Sequence, residues 1–146
     1  MGTSFASTLL ETKDTLPEQM LWRGVLCNAL EDSVCTMNDR KSSVYKFDAH
    51  EWIITQDEDF ETVCYWAGFS PEHVREKYIQ AIKRGDIKFT HKQVAWNQYY
   101  TQYQKYRNCS EPESKKYHRK RLDTLRMAVF NATTALISNV ISIAEA

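Results

Sequence analysis

The segment 59–78 constrains the fold more than any other part of the chain, because it predicts two short helices joined by a tight turn. Apolar residues recur at helical steps from Phe60 to Ala67. Gly68 follows where a helix often ends in a left-handed residue, and Ser70 and Pro71 suit the start of the next helix. This order is typical of a helix-turn-helix, whose second helix enters a DNA groove in many proteins.

The second helix of this pair is amphipathic. Its spacing predicts an inward face of four apolar residues, Val74, Tyr78, Ala81 and Ile82. Polar residues on the outward face and its flanks are candidates to reach bases or phosphates: Ser70, His73, Arg75, Lys77, Gln80, Lys83 and Arg84. Glu72 and Glu76 share the outward face and would repel phosphates. A helix pair used only for packing or for protein contact therefore stays open.

Composition favours an all-α fold, because four glycines and three prolines in 146 residues are too few for a turn-rich β-sandwich. The net charge is zero but unevenly spread. Residues 1–61 hold twelve acids and five bases, about −7, whereas residues 62–146 hold seven acids and fourteen bases, about +7. Such an asymmetry predicts either a surface that meets a polyanion or two halves that attract each other.

Patterning along the chain predicts three parts: a flexible N-terminal arm at 1–15, a helix-turn-helix-like domain at 16–88, and a long helical hairpin at 90–145. Thr90 and Gln93 form a capping box that starts the hairpin, and its second helix is expected to run to about Ala144.

The second helix of the hairpin carries two further candidate surfaces. Its basic first half offers either phosphate contacts or a solvated face: Lys115, Lys116, Arg119 and Lys120. Its apolar stripe predicts an oligomer interface of Leu125, Val129, Leu136 and Val140. The aromatic run 96–107 is expected to be core or interface.

Signals for catalysis are lacking. The sequence has no glycine-rich phosphate loop, no nucleophile elbow and no Cys/His spacing suited to zinc, so we expect neither an enzyme nor a cofactor or metal. Without a signal peptide or a convincing membrane span, the expected location is the cytoplasm of a bacterial host cell.

Residues 20–84 carry a resemblance. The order of apolar pairs in this segment resembles a small uncharacterised, helix-turn-helix-like protein family of tailed bacteriophages and marine proteobacteria. The residues that carry the resemblance are Leu21-Trp22, Val25-Leu26, Ala29-Leu30, Trp52-Ile53, Asp59-Phe60, Val63-Cys64 and Ala67-Gly68, followed by Pro71 and Val74-Arg75. The resemblance implies a phage or bacterial origin. The layout of the whole chain is also similar to that of phage small terminase subunits, which place a helical hairpin after a helix-turn-helix.

These observations predict a non-catalytic, helix-turn-helix protein that binds duplex DNA as a homo-oligomer and regulates transcription. Two alternatives stay open. One is a phage small terminase subunit that recognises DNA for packaging. The other is a protein-binding adaptor whose acidic N-terminal half contacts a basic partner.

Overall fold

The computed structural model describes residues 4–10 and 16–137, which form seven helices and one pair of short strands. The elements are α1 (Phe5–Leu9), α2 (Pro17–Ser33), α3 (Arg40–Ile54), α4 (Glu58–Ala67), α5 (Pro71–Arg84), β1 (Phe89–Thr90), α6 (His91–Asn108), α7 (Pro112–Asn131) and β2 (Leu136–Ile137). The strands pair antiparallel, with Phe89 opposite Ile137 and Thr90 opposite Leu136. An all-α fold class is confirmed.

The chain divides into two compact units. Among the described residues, the first unit comprises 4–10, 16–35 and 45–88, and the second comprises 36–44 and 89–137. Residues 36–44, which the sequence predicts as part of the domain at 16–88, therefore belong to the second unit. The reason is a set of polar contacts: Gln93 Nε2 donates to the Met37 carbonyl at 2.8 Å, and Trp96 Nε1 donates to the Asn38 carbonyl at 3.0 Å.

The first unit is built around α2, α4 and α5, with Leu26, Leu30, Phe60 and Tyr78 fully buried. The predicted pair of helices is confirmed at 58–84. Gly68 ends α4 with φ +85°, and the Phe69 amide returns to the Cys64 carbonyl at 2.9 Å. Pro71 is the first residue of α5, and Gly85, at φ +87°, follows its last.

The predicted N-terminal arm contains helix α1. Ser4 Oγ accepts the Ser7 amide at 3.1 Å, and the Ala6 amide donates to Glu31 Oε1 on α2 at 2.8 Å. Ala6, Leu9 and Leu10 are buried, so this short helix belongs to the core of the first unit. Residues 1–3 and 11–15 of the predicted arm lie outside the described residues.

The second unit is a hairpin of α6 and α7. Its core combines Ala95 and Tyr99 of α6 with Leu122 and Val129 of α7. The capping box at its start is confirmed: Thr90 Oγ1 accepts the Gln93 amide at 3.1 Å, and Gln93 Oε1 accepts the Thr90 amide at 2.9 Å. A bond of 2.7 Å joins Gln102 Nε2 and His118 Nδ1 across the two helices.

The last helix ends earlier than predicted, at Asn131 instead of about Ala144. Beyond it, the carbonyls of Thr133 and Ala135 each accept a bond of 3.0 Å from the amides of Lys92 and His91. These two amides lie in the first turn of α6 and have no partner within that helix. They therefore bind the chain that follows α7, which is held as an extended segment. Residues 138–145 of the predicted hairpin lie outside the described residues.

Candidate nucleic-acid interface

The outward face of α5 is the first candidate surface. Val74, Tyr78, Ala81 and Ile82 are buried, which confirms the predicted inward face. His73, Gln80 and Lys83 are exposed and share the opposite side of the helix, and Ser70 at its N-cap is exposed as well. The structure thus leaves these four candidate side chains accessible along about three turns of helix.

Two of the predicted contacts on α5 are engaged inside the first unit. Arg75 Nε donates to the carbonyl of Ile54, the last residue of α3, at 2.7 Å. Lys77 Nζ lies 3.5 Å from the carbonyl of Leu9, the last residue of α1. Both cations lie at the negative end of a neighbouring helix and are less accessible than the rest of the set, and their assignment as DNA contacts stays a prediction.

The charge of the α5 face is balanced. Arg84 is exposed, but its guanidinium forms an ion pair with Asp86 at 3.1 Å. Glu72 and Glu76 are exposed beside Lys83, and Ser70 Oγ donates to Glu72 Oε2 at 3.0 Å. This face can therefore offer hydrogen bonds to bases, but it supplies little net attraction for a polyanion.

The basic face of α7 is the second candidate surface, and it differs in charge. It consists of exposed side chains on two turns of the helix, Lys115, Lys116, Arg119 and Lys120. Lys115 Nζ lies 5.4 Å from the centre of the Tyr106 ring, and Tyr117 beside it is 64% exposed. Cations next to accessible aromatic rings suit phosphate contact and ring stacking.

Net charge separates the two units as well. Residues 36–44 and 89–137 of the second unit hold eleven bases and four acids, which gives +7. The described residues of the first unit, 4–10, 16–35 and 45–88, hold seven bases and twelve acids, which gives −5. The sequence has an acidic first half and a basic second half, and the structure likewise has an acidic first unit and a basic second unit.

Two of the four residues of the predicted oligomer interface, Leu125 and Val129, contribute to the core of the hairpin. Val129 is 1% exposed and Leu125 packs against the same core, because both face α6 within the hairpin. Leu136 lies in β2, and Val140 lies outside the described residues. The exposed apolar residues of α7 are instead Met127, at 59%, and Phe130, at 70%.

A buried polar cluster in the first unit was missed from sequence. Lys46 is 1% exposed and donates to the carbonyls of Cys35, at 2.6 Å, and Lys88. His50 Nδ1 and the Tyr78 hydroxyl lie 2.7 Å apart. Burial lowers the pKa of Lys46 to about 8, and burial with nearby Lys46 lowers the pKa of His50 to about 4. Lys46 and His50 are four residues apart and so share one side of α3, and this spacing was the signal from which the cluster could have been predicted.

Two further features bear on chemistry. Burial, with Glu72 and Glu61 nearby, raises the pKa of the Cys64 thiol to about 12, so this cysteine is a poor nucleophile. Within residues 4–10 and 16–137, no group of three or more His, Cys, Asp or Glu side chains is placed to hold a metal ion.

In that same part of the chain, none of the helices combines the length and apolar character needed to cross a membrane. Comparison with protein-family models, with curated proteins and with solved structures gives no match to this chain.

Proposed function

We propose that this chain is a non-catalytic protein that binds duplex DNA, with the basic face of α7 supplying the phosphate contacts. The observation that carries the proposal is the exposed row of Lys115, Lys116, Arg119 and Lys120 in a unit of charge +7. Cations presented on a regular scaffold bind phosphates without reading sequence, and they release condensed counterions as they do so.

Base recognition, in this proposal, belongs to the exposed face of α5. Gln80 can pair with adenine through two hydrogen bonds, and His73 and Lys83 can donate to guanine or to phosphate. The support is their exposure on one side of a helix that follows a tight glycine turn. Because the acids on this face offset its bases, we expect it to contribute preference among sequences more than affinity.

We further propose that the protein forms a homo-oligomer and acts in transcription; the resemblance of residues 20–84 implies that the setting is a phage or a bacterium. Several copies would present several α5 helices at fixed spacing. A native mass of two subunits would suit a regulator. A ring of eight or more would indicate DNA packaging instead.

The test compares two sets of substitutions in titrations of short labelled duplexes of unrelated sequence. Replacing the four α7 cations by glutamine should weaken binding to every duplex. Replacing His73 and Gln80 by alanine should leave the mean affinity nearly unchanged and reduce the differences between duplexes. Circular dichroism checks that both variants remain helical. Wild-type affinity in a folded α7 variant would rule the proposal out.

A further inference from the structure

An apolar groove between α2 and α3 has no role in the proposed DNA contact. Val25 and Ala29 lie one turn apart on α2, and Tyr45, Ala49 and Trp52 follow helical spacing on α3. The groove has a volume of about 420 Å³, and Val25 and Tyr45 are 39% and 50% exposed. The alanines leave space between larger side chains over about two helical turns, roughly 10 Å, which suits a short helical face.

Acids surround this groove. Asp32 of α2, Asp48 of α3 and Asp59 of α4 all line it, and Asp59 Oδ2 accepts a bond of 3.1 Å from Trp52 Nε1. Glu51 and Asp57 line the adjoining recess, which shares Asp48 and Trp52 with the groove. Such a surface repels nucleic acid, so its occupant should be a cationic segment that also carries apolar side chains.

The second unit of this chain has such a segment on α7. Lys116, Lys120 and Met127 lie on one stripe of the helix, with Phe130 exposed beside it. Asp123 shares the stripe, but Arg119 lies one helical turn before Asp123 and Arg126 lies one turn after it, so the face stays positive.

We infer that the groove between α2 and α3 of one molecule binds the basic and apolar face of α7 of a second copy. Charge complementarity is the argument: units of −5 and +7 in the described part of the chain make each copy a match for the next. The contact joins different surfaces and is therefore head-to-tail, which builds rings or chains of copies. It involves the cations of the proposed DNA contact but does not depend on DNA binding.

The experiment is sedimentation velocity of the full chain over a range of concentration and salt, with two charge-reversal variants. The groove variant is Asp32→Lys with Asp48→Lys, and the α7 variant is Lys116→Glu with Lys120→Glu. All four residues are exposed, and the change at Asp32 favours the negative end of α2. Each variant alone juxtaposes like charges, so its self-association should fall about a hundredfold, at about tenfold for each reversed contact.

Mixing the two variants restores opposite charges at every contact, and association should return to near the wild-type level. Glu18→Lys, at the start of α2 and away from the groove, is the control and should associate like the wild type. A wild-type chain that stays monomeric at low salt would overturn the inference. A mixture no more associated than its separate components would do the same.

DNA titrations separate this inference from the proposed function. The groove variant keeps all its α7 cations, so it should bind duplex DNA even where it no longer self-associates. If the variant loses self-association and the wild type binds no DNA, only the proposed function fails. If DNA binding holds and the mixture does not recover, only the head-to-tail contact fails.

Discussion

Replacing Lys116 and Lys120 by alanine tests the electrostatic basis of the proposed DNA contact. Both side chains are exposed within α7, and alanine is at least as good a helix former as lysine, so the fold should be retained. Each cation that neutralises one phosphate contributes about −0.9 to the slope of log K against log salt. Removing two should therefore make the slope shallower by about 1.8.

The same slope sets the loss of affinity. If the electrostatic contribution vanishes near 1 M salt, two contacts account for a factor of about 60 at 0.1 M, or about 2.4 kcal/mol. Fluorescence anisotropy of a labelled duplex, titrated with protein at several NaCl concentrations, measures both quantities in one series.

The matched control is Lys116→Arg with Lys120→Arg, which keeps both charges and should keep the slope. A shallower slope in this variant would mean that side-chain shape, and not charge, governs the contact. A wild-type slope in the alanine variant would refute the placement of phosphates on this face, whatever the absolute affinity.

Three further predictions concern stability, measured by urea unfolding. Gly68→Ala should cost about 1–2 kcal/mol because φ is +85°, whereas Gly24→Ala, whose new Cβ would have no heavy atom within 4 Å apart from its chain neighbours and the nearby backbone of its own helix, should gain about 0.5–1 kcal/mol. Since folding lowers the pKa of His50 to about 4, stability should fall by up to about 3 kcal/mol as pH falls from 6.5 to 4, and His50→Gln should flatten that decline. Val129→Ala should cost about 2 kcal/mol, and Phe130→Ala, at a site 70% exposed, less than about 0.5 kcal/mol; equal costs would contradict the burial seen in the hairpin.

The elements predicted correctly from sequence are those whose signals are local. Gly68 and Pro71 mark the end and the start of consecutive helices, and Thr90 and Gln93 bond to each other across three residues. Such signals need no knowledge of the remaining chain. The inward face of α5 was predictable for the same reason, since periodicity alone determines which residues share a side.

The features that could not be predicted from sequence concern contacts between residues distant in sequence. Arg75 meets a carbonyl 21 residues away, and Lys77 meets one 68 residues away, so their exposure could not be read from α5 alone. The end of α7 is similar, because the extended chain after it is captured by the first turn of α6. For Val129 and Phe130, periodicity allowed either residue to face the core, and packing against α6 decides between them.

The two proposals share the cations of α7, and this overlap has a measurable consequence. If one copy's α7 lies in the groove of another, DNA must displace that contact before it reaches Lys116 or Lys120. The groove variant, Asp32→Lys with Asp48→Lys, lacks the competitor. We therefore expect its apparent DNA affinity to exceed that of the wild type at protein concentrations where the wild type self-associates.

At protein concentrations far below the dissociation constant for self-association the competition disappears, because no second copy then occupies the α7 face that DNA binds. The variant's remaining advantage should then be only that of its added positive charge, which salt removes. Anisotropy titrations at two concentrations of unlabelled protein separate the effect of competition between copies from the effect of the added charge. An advantage independent of protein concentration would show that self-contact and DNA contact use different parts of α7, because competition between copies is the only term that scales with the number of copies present.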